Sequence, residues 1–550
     1  MNFECSRYQL SPKEFRLQRA LEIVPGFFSW SVIIGMLALS WWAPLAAAVG
    51  IIAFDIFWLM RLFYMTIFLV LSYLRLSIES HTDWMGRLRR LADPDTAVMR
   101  QGAGPWRNIS GWIFARQLRA VARMQPAPPR WDEIYHVILF PISHEDPAII
   151  EAGLKSLSRQ SFPPSRMLVV LAVEARAGGD VGRGVEALQR AYQHEFLDLL
   201  VIVHPDGLPG EARVKGANVT WAARAAAADL QQRKIPVEQV LISCFDADTI
   251  VSREYFACLT YSFLTTPNRE RASFQPIPVY HNNIWEAPGF ARVLDIGSSF
   301  FQLIEATNPA LLVTFSSHSM SLKALIDVGY WPVDMISDDS AIFWKALIHY
   351  QGDYEVVPLP VTVSMDVVAA PSWWQTIASV YKQKRRWAWG AENVPLALRG
   401  FLQSPKMPWM MKLRYTYKLF EMHLAWATWP LLLTVIGWLP AISAGREFSS
   451  TVMYYSIPHI QGIIFELSSL SLLVTVLLSV MLLPKPHVRF SLIRRLALAL
   501  EWVLVPFITV GFIALPALDA QTRLLMGKRM EFWVTGKRLS GKKNARMMEA

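Results

Sequence analysis

Apolar runs long enough to approach or cross a bilayer stand in two groups in this 550-residue chain, and a long stretch of different character separates them. Phe27–Trp42 and Leu45–Leu74 form the first group. Leu419–Ile442, Ile463–Leu483 and Leu496–Leu518 form the second. A chain built this way is too apolar for one soluble core. Its 53% hydrophobic content and 22 Trp suit a membrane and its interfaces.

Arg7, Lys13, Arg16 and Arg19 precede the first run and predict a cytoplasmic N-terminus. Ala46-Ala47-Ala48 imitates a signal-peptidase site, but the apolar character resumes at once, so two uncleaved transmembrane helices are expected within residues 1–80. Asp55 and Arg61 inside the second run are either an intramembrane pair or residues packed within the bundle. The net charge of +10 does not point to nucleic acid, because many Lys and Arg adjoin apolar segments, where anionic lipid and topology account for them. The three cysteines, Cys5, Cys244 and Cys258, form neither a disulfide framework nor a zinc site.

Residues 81–130 form an interfacial region and linker. Within it, Trp106–Met124 interleaves Arg107, Arg116, Arg119 and Arg123 with apolar residues. This predicts an amphipathic helix, lying either on the membrane surface or on the soluble domain. Gln125-Pro126-Ala127-Pro128-Pro129 then marks a boundary.

Residues 131–365 alternate short apolar runs with helical periodicity. Val137–Phe140, Met167–Val173, Leu199–Val203 and Val240–Phe245 predict buried parallel strands, with helices around Leu154–Leu157 and Val219–Leu230. The fold class is α/β, an open mixed sheet covered on both faces and inserted between transmembrane helices. Ligands on such sheets bind at the carboxyl ends of strands. Asp246-Ala247-Asp248 follows a predicted strand immediately.

Two carboxylates at a strand end can hold Mg2+ or Mn2+ against a diphosphate, and equally can be a solvated loop. Ser337-Asp338-Asp339 opens a predicted helix, Ser340–His349, where aspartates favour the N-terminus and Asp339 can also act as a general base. Gln383-Lys384-Arg385-Arg386-Trp387 falls in residues 366–415, flanked by Trp373, Trp374 and Trp389. It is either a juxtamembrane basic–aromatic belt, or Arg386 meets a diphosphate and Trp387 stacks on a sugar. Lys485, Arg489, Arg494 and Arg495 predict a cytoplasmic loop before the last run of the 416–518 membrane region. The basic 519–550 tail, with Phe532-Trp533-Val534-Thr535-Gly536-Lys537, is also expected inside. Leu496–Leu518 is therefore expected to re-enter or lie at the interface, bent near Pro506.

These clusters, in this order, resemble the membrane-integrated family 2 glycosyltransferases, most closely bacterial cellulose synthase-like enzymes. Those carry Asp-x-Asp, Thr-Glu-Asp or similar, Gln-x-x-Arg-Trp and a Phe-x-Val-Thr-x-Lys gating loop. The resemblance covers about Glu133 to Lys537 and implies a GT-A-like domain facing the cytoplasm in a multi-pass cell-membrane protein. It implies Asp339 as the base, Asp248 as a ligand of Mg2+ or Mn2+, and Asp246 as a donor contact beside that metal. Gln383, Arg386 and Trp387 would line the donor–acceptor boundary, with Thr535 and Lys537 closing over the diphosphate. Lys215 resembles the family's nucleotide-binding lysine, and Glu145 stands where a nucleotide contact is expected. Glu174, in Val173-Glu174-Ala175, replaces an acidic pair and serves alone. Phe315-Ser316-Ser317-His318-Ser319 replaces an acceptor-side Gly-Thr-Asn-like stretch, with His318 a substrate contact or a structural histidine.

The resemblance implies inverting, metal-dependent transfer of a sugar from a nucleotide-sugar donor, UDP-linked, to a growing polysaccharide. The alternatives are a single addition to a membrane lipid acceptor, or an inactive membrane scaffold or transport protein.

Overall fold

The computed structural model describes residues 3–92, 109–443, 450, 452–484 and 491–530. Its centre is an eight-stranded sheet with the order β3-β2-β1-β4-β7-β6-β8-β5. The strands are β1 (Tyr135–Ile142), β2 (Met167–Glu174), β3 (Asp198–His204), β4 (Val240–Cys244), β5 (Ile250–Val251), β6 (Ala272–Val279), β7 (Ser319–Ser321) and β8 (Glu355–Ser364). β3, β2, β1 and β4 run parallel, whereas β7 is antiparallel to both β4 and β6. The sheet is open and mixed, as expected.

The alternation of side chains along each strand explains why both faces must be covered. In β1, Ile138, Phe140 and Ile142 enter one core, with Ile150, Leu154 and Leu157 of the helix Pro147–Ser158 and Tyr255 and Phe256 of the helix Tyr255–Thr265. Val137 and Leu139 enter the other, with Val219, Ala222 and Ala226 of the helix Lys215–Gln232 and Ala341, Phe343 and Trp344 of the helix Asp338–His349. All of these β1 residues are buried. Truncating one to Ala would cost about 2–5 kcal/mol.

The helix Ile109–Val121 packs one face of its amphipathic pattern on the soluble domain. Phe114, Leu118 and Val121 join the core beside Trp84 and Leu88, and Tyr261 donates to Gln117 at 2.7 Å, while Trp112 and Ile113 stay exposed. Trp106 and Arg107 lie outside the described residues.

Four helical stretches are long and apolar enough to cross a membrane: Pro12–Trp42, Pro44–Glu79, Tyr454–Leu482 and Leu496–Leu525. Trp409–Thr434 and Ile436–Ile442 make a further pair, bent by 45°. Arg61 does not pair with Asp55. Six residues on one helix place the two on different faces, and Arg61 instead meets Glu421 in the helix Trp409–Thr434.

The last apolar stretch is irregular. A 3-10 turn at Glu501–Leu504 precedes Pro506, and a π-turn follows at Val510–Ala514. This stretch packs on the soluble domain at successive points. Arg292 is 3.5 Å from Glu501, Phe300 stacks on Trp502, Phe290 stacks on Phe512, and Arg385 donates to Asp519 at 2.8 Å.

Candidate active site

The chain doubles back in the sheet order between β1 and β4, and the cleft at such a switch point lies beyond the carboxyl ends of the strands. β4 delivers Asp246 there, and the helix Lys215–Gln232 starts there with Lys215. Asp339 arrives in the first turn of the helix Asp338–His349. The Lys215 ammonium donates to Asp246 at 2.8 Å and to the Asp339 oxygens at 3.1 and 3.4 Å. Lys215 is only 8% exposed. Burial works against its charge, but Asp246 and Asp339 outweigh it and hold the amine well above its ordinary range.

Close packing makes this convergence possible. A Cβ on Gly216 would lie 2.2 Å from the Pro332 carbonyl oxygen and 3.1 Å from the Asp338 Cβ, so only glycine lets the Lys215 helix approach the Asp338 helix this closely. Asp338 turns inward and is 2% exposed. Burial, then the neighbouring Asp339 charge, raises its carboxyl well above the usual range, and its Oδ2 has no hydrogen-bond partner among the described residues. Asp339 is the partly exposed member of the two, at 24% of its side chain.

The loop before β7 backs the Asp246 carboxylate, with Ser316 donating to Oδ2 at 2.5 Å. Asp248 is 2% exposed, and its Oδ2 accepts the Asp366 amide at 2.8 Å. Asn282 binds the Asp248 carbonyl at 2.9 Å and the Asp366 carboxylate at 3.0 Å. The loops after β6 and β8 therefore fix the second carboxylate of the tripeptide. Asp246 and Asp248 offer hard oxygen donors, and among the described residues no group of three or more acidic, His or Cys side chains forms a metal cage. That donor set fits Mg2+ or Mn2+, which is held by one or two carboxylates and completed by substrate phosphates and water.

Glu174 ends β2 and pairs with Arg176 on the wall of a solvent-open cleft. The cleft continues along His204, Glu211 and Arg213 to Val214, the residue before Lys215. Glu145 turns back to accept the Ser143 and His144 amides at 2.6 and 3.0 Å. His318 is fully buried, bonds the Phe315 carbonyl at 2.9 Å through Nδ1, and has its pKa lowered by burial.

The helix Trp373–Ala388 carries the Gln383–Trp387 cluster. Its start exposes Trp373 and Trp374, while Gln383 and Lys384 are buried. Lys384 ion-pairs with Asp295 at 2.9 Å and lies 3.6 Å from the centre of the Trp387 ring. Tyr280, just after β6, meets Trp387 ring to ring at 6.4 Å. Burial raises its phenol pKa, as do the charges of Asp295, Asp246 and Asp248, while Arg386 lowers it. Thr535 and Lys537, with the whole of Phe532–Lys537, lie outside the described residues.

Glu392 escaped the sequence reading. One carboxylate oxygen accepts the Ile336 amide at 2.9 Å and the Ser337 amide and hydroxyl, each at 2.8 Å. The other accepts the Trp389 indole at 3.0 Å. Burial pushes its carboxyl up to about 7, against the opposing pull of the Ser337 and Trp389 bonds.

The model of the family described as glycosyl transferase family group 2 matches residues 241–515, half of the chain, from β4 through the last apolar stretch. The chain belongs to that family. Its mixed sheet, with an Asp-x-Asp after β4, is GT-A-like. Similar proteins include the poly-beta-1,6-N-acetyl-D-glucosamine synthase of Staphylococcus aureus strain COL, 28% identical over 168 residues, which are 30% of this chain and 38% of that one. The synthase of Staphylococcus epidermidis is 28% identical over 191 residues, 34% of this chain and 42% of that one. The match therefore spans about two fifths of the relatives' length. Among solved structures, the mannosyltransferase PcManGT from Pyrobaculum calidifontis, in complex with GDP-Man and Mn2+, aligns with a TM-score of 0.39 and 15% identity over 70% of this chain and 98% of that one. S. aureus TarS 1-349 in complex with UDP-GlcNAc aligns with a TM-score of 0.34 and 13% identity over 74% and 95%.

Proposed function

We propose that the chain transfers a sugar, with inversion, from a UDP-linked donor to a growing polysaccharide at the cytoplasmic face of the cell membrane. The observation that carries this reading is the Lys215 ammonium bridging Asp246 and Asp339, a donor-side and an acceptor-side carboxylate within reach of one cation. Asp339, partly exposed, takes the proton of the acceptor hydroxyl. Lys215 and Arg386 offset the charge that develops on the leaving diphosphate. The cleft beside Glu174 runs from the end of β2 to Lys215 and suits the nucleoside, with Glu145 nearby on the loop after β1. Asp248, with Asp246, would hold Mg2+ or Mn2+, which when bound supplies Lewis-acid stabilisation of the diphosphate. Trp387, braced by Lys384 and Tyr280, offers a stacking face to the acceptor sugar beside Gln383.

The names of the relatives support a polysaccharide product. Gln383–Trp387, with Thr535 and Lys537 in the tail, supports a cellulose synthase-like, processive enzyme. Tyr8, just before the first helix, accepts from Arg529, just after the last apolar stretch, at 2.8 Å, while the Arg7 amide donates to Asp334 of the soluble domain at 2.8 Å. These contacts support an N-terminus, catalytic domain and tail on one side of the membrane, with residues 496–518 interfacial or re-entrant.

The test is release of nucleoside diphosphate from a panel of nucleotide sugars by the full chain in lipid with Mn2+ or Mg2+, and sizing of the products. Metal-dependent release that is lost in Asp339→Asn and Asp248→Asn is the expected result, with long products. Release of the same size in wild type and Asp339→Asn would overturn the assignment of the base. Products of one added sugar on lipid would replace polymerisation with single addition.

A further inference from the structure

The helix that carries Gln383–Trp387 is followed directly by two side chains that reach to either side of Asp338-Asp339. Glu392 accepts three hydrogen bonds from Ile336 and Ser337, immediately before the pair. Asn393 donates to the Ser340 hydroxyl at 2.8 Å, immediately after it. Ser337 occupies the N-cap of the Asp338–His349 helix, yet its side chain makes no cap bond and donates to Glu392 instead. The usual economy of a serine N-cap is set aside for a tether to another element. The Trp389 indole, 3.0 Å from the second oxygen, fixes the rotation of the carboxylate. On its other side the same loop is held by Asp334, which accepts from the Ser6 hydroxyl at 3.0 Å and the Arg7 amide at 2.8 Å.

We infer that Glu392 is a positioning residue for Asp339: it locks the segment that presents the base to the helix that presents Trp387, so that base and acceptor platform keep one distance. The inference rests on the proposed role of Asp339. A carboxyl group is suited to this task because one of its oxygens can accept several donors at once while the other takes a further one. Glu392 touches no reacting atom. Its effect passes through Ile336 and Ser337 to the first turn of the Asp338 helix. Loss of the tether lets the base drift relative to the acceptor, and a misplacement of about 1 Å costs on the order of 100-fold in rate. Asp246 and Asp248 are held by β4 and by the loops before β7 and after β6 and β8, so the donor-side carboxylates keep their geometry, and Lys215 keeps Asp246 as a partner when Asp339 drifts.

The experiment measures kcat and donor KM for the full chain in lipid nanodiscs, with direct binding of uridine diphosphate as a check on folding. Glu392→Ala is expected to lower kcat by about 10- to 100-fold, with donor KM and uridine diphosphate binding unchanged. Glu392→Gln keeps an oxygen acceptor for the three loop donors and is expected to recover most of that loss. A wild-type kcat in Glu392→Ala, a matching rise in donor KM, or a glutamine variant as impaired as the alanine one would each overturn the inference. Should Glu392→Ala fail to bind uridine diphosphate, Ser337→Ala decides. It removes one of the three donors, so a partial fall in kcat at constant KM supports the tether and an unchanged kcat overturns it. Activity that survives Asp339→Asn would instead refute the role of the base on which the tether acts, an outcome separate from any of these.

Discussion

Lys215 and Asp339 form a 3.1 Å ion pair although they are 124 positions apart, and the same ammonium is 2.8 Å from Asp246. Replacing it with the apolar Met leaves two carboxylates facing one another without a cation and removes a positive charge from the diphosphate subsite. Lys215→Met is expected to lower kcat/KM by about 100- to 1,000-fold, the range seen for loss of one electrostatic donor. Lys215→Arg should not restore it, because a planar fork does not replace a compact ammonium that serves two carboxylates. Release of nucleoside diphosphate checks both variants, and an active Lys215→Met would remove this cation from the mechanism.

Gly216 supplies a prediction about distance rather than charge. A methyl group there meets the Pro332 carbonyl oxygen at 2.2 Å, so the helix carrying Lys215 must retreat from the loop before Asp338. Gly216→Ala is expected to destabilise the fold by about 1–3 kcal/mol, with a larger proportional loss of transfer than of stability because Lys215 moves with the helix. Thermal unfolding and diphosphate release on one preparation would check this. Full activity at unchanged stability would show that the contact relaxes freely.

Most of the parallel half of the fold was legible in the chain. β1, β2, β3 and β4 each carry a continuous apolar run, and each forms where that run lies. The burial on both faces that such a run predicts holds for β1, β2 and β4, whereas the edge strand β3 leaves Val203 exposed. The antiparallel half was less legible for a physical reason. β7 spans only Ser319–Ser321, and β6 and β8 contain prolines that break the apolar pattern, so nothing local marks them as strands. The site divides in the same way. Asp246, Asp248 and Asp339 sit in short motifs, whereas Glu392 is a single acid 55 positions from the Ser337 amide that it binds. Asn282, Ser316 and Asp366 likewise matter only through partners distant in sequence.

Asp338 should make stability depend on pH. Its carboxyl is raised well above the usual range by burial and by Asp339, so the folded chain keeps a proton there that the unfolded chain releases at the ordinary carboxylate pKa. Above that ordinary value the unfolded state binds fewer protons, and this group's contribution to stability falls as pH rises. The slope is about 1.4 kcal/mol per pH unit for one proton, until the folded carboxyl also ionises. Asp338→Asn removes the proton while keeping the shape, so its stability relative to wild type should improve as pH rises through that window. Denaturant midpoints at a series of pH values would measure it, and parallel curves for the two proteins would contradict the assignment.

Asp295 and Lys384 are almost completely buried, with side chains 4% and 7% exposed, and they join the helix Gly289–Glu305 to the helix that carries Gln383–Trp387. Burial lowers the Lys384 pKa, and the Asp295 carboxylate opposes that shift, so the ammonium depends on this one acid for its charge. Asp295→Ala removes the counter-charge and leaves Lys384 in the same apolar surroundings below the Trp387 ring. Breaking a buried pair from one side costs about 3–5 kcal/mol, and here Lys384 can limit the cost by losing its proton. The expected outcome is a clear fall in unfolding midpoint that becomes smaller at high pH, where a neutral amine is tolerated. Replacing both partners together, Asp295→Leu with Lys384→Met, should be milder than Asp295→Ala alone, because no buried charge is left behind. A double variant as unstable as the sum of its parts would show that the two side chains act independently.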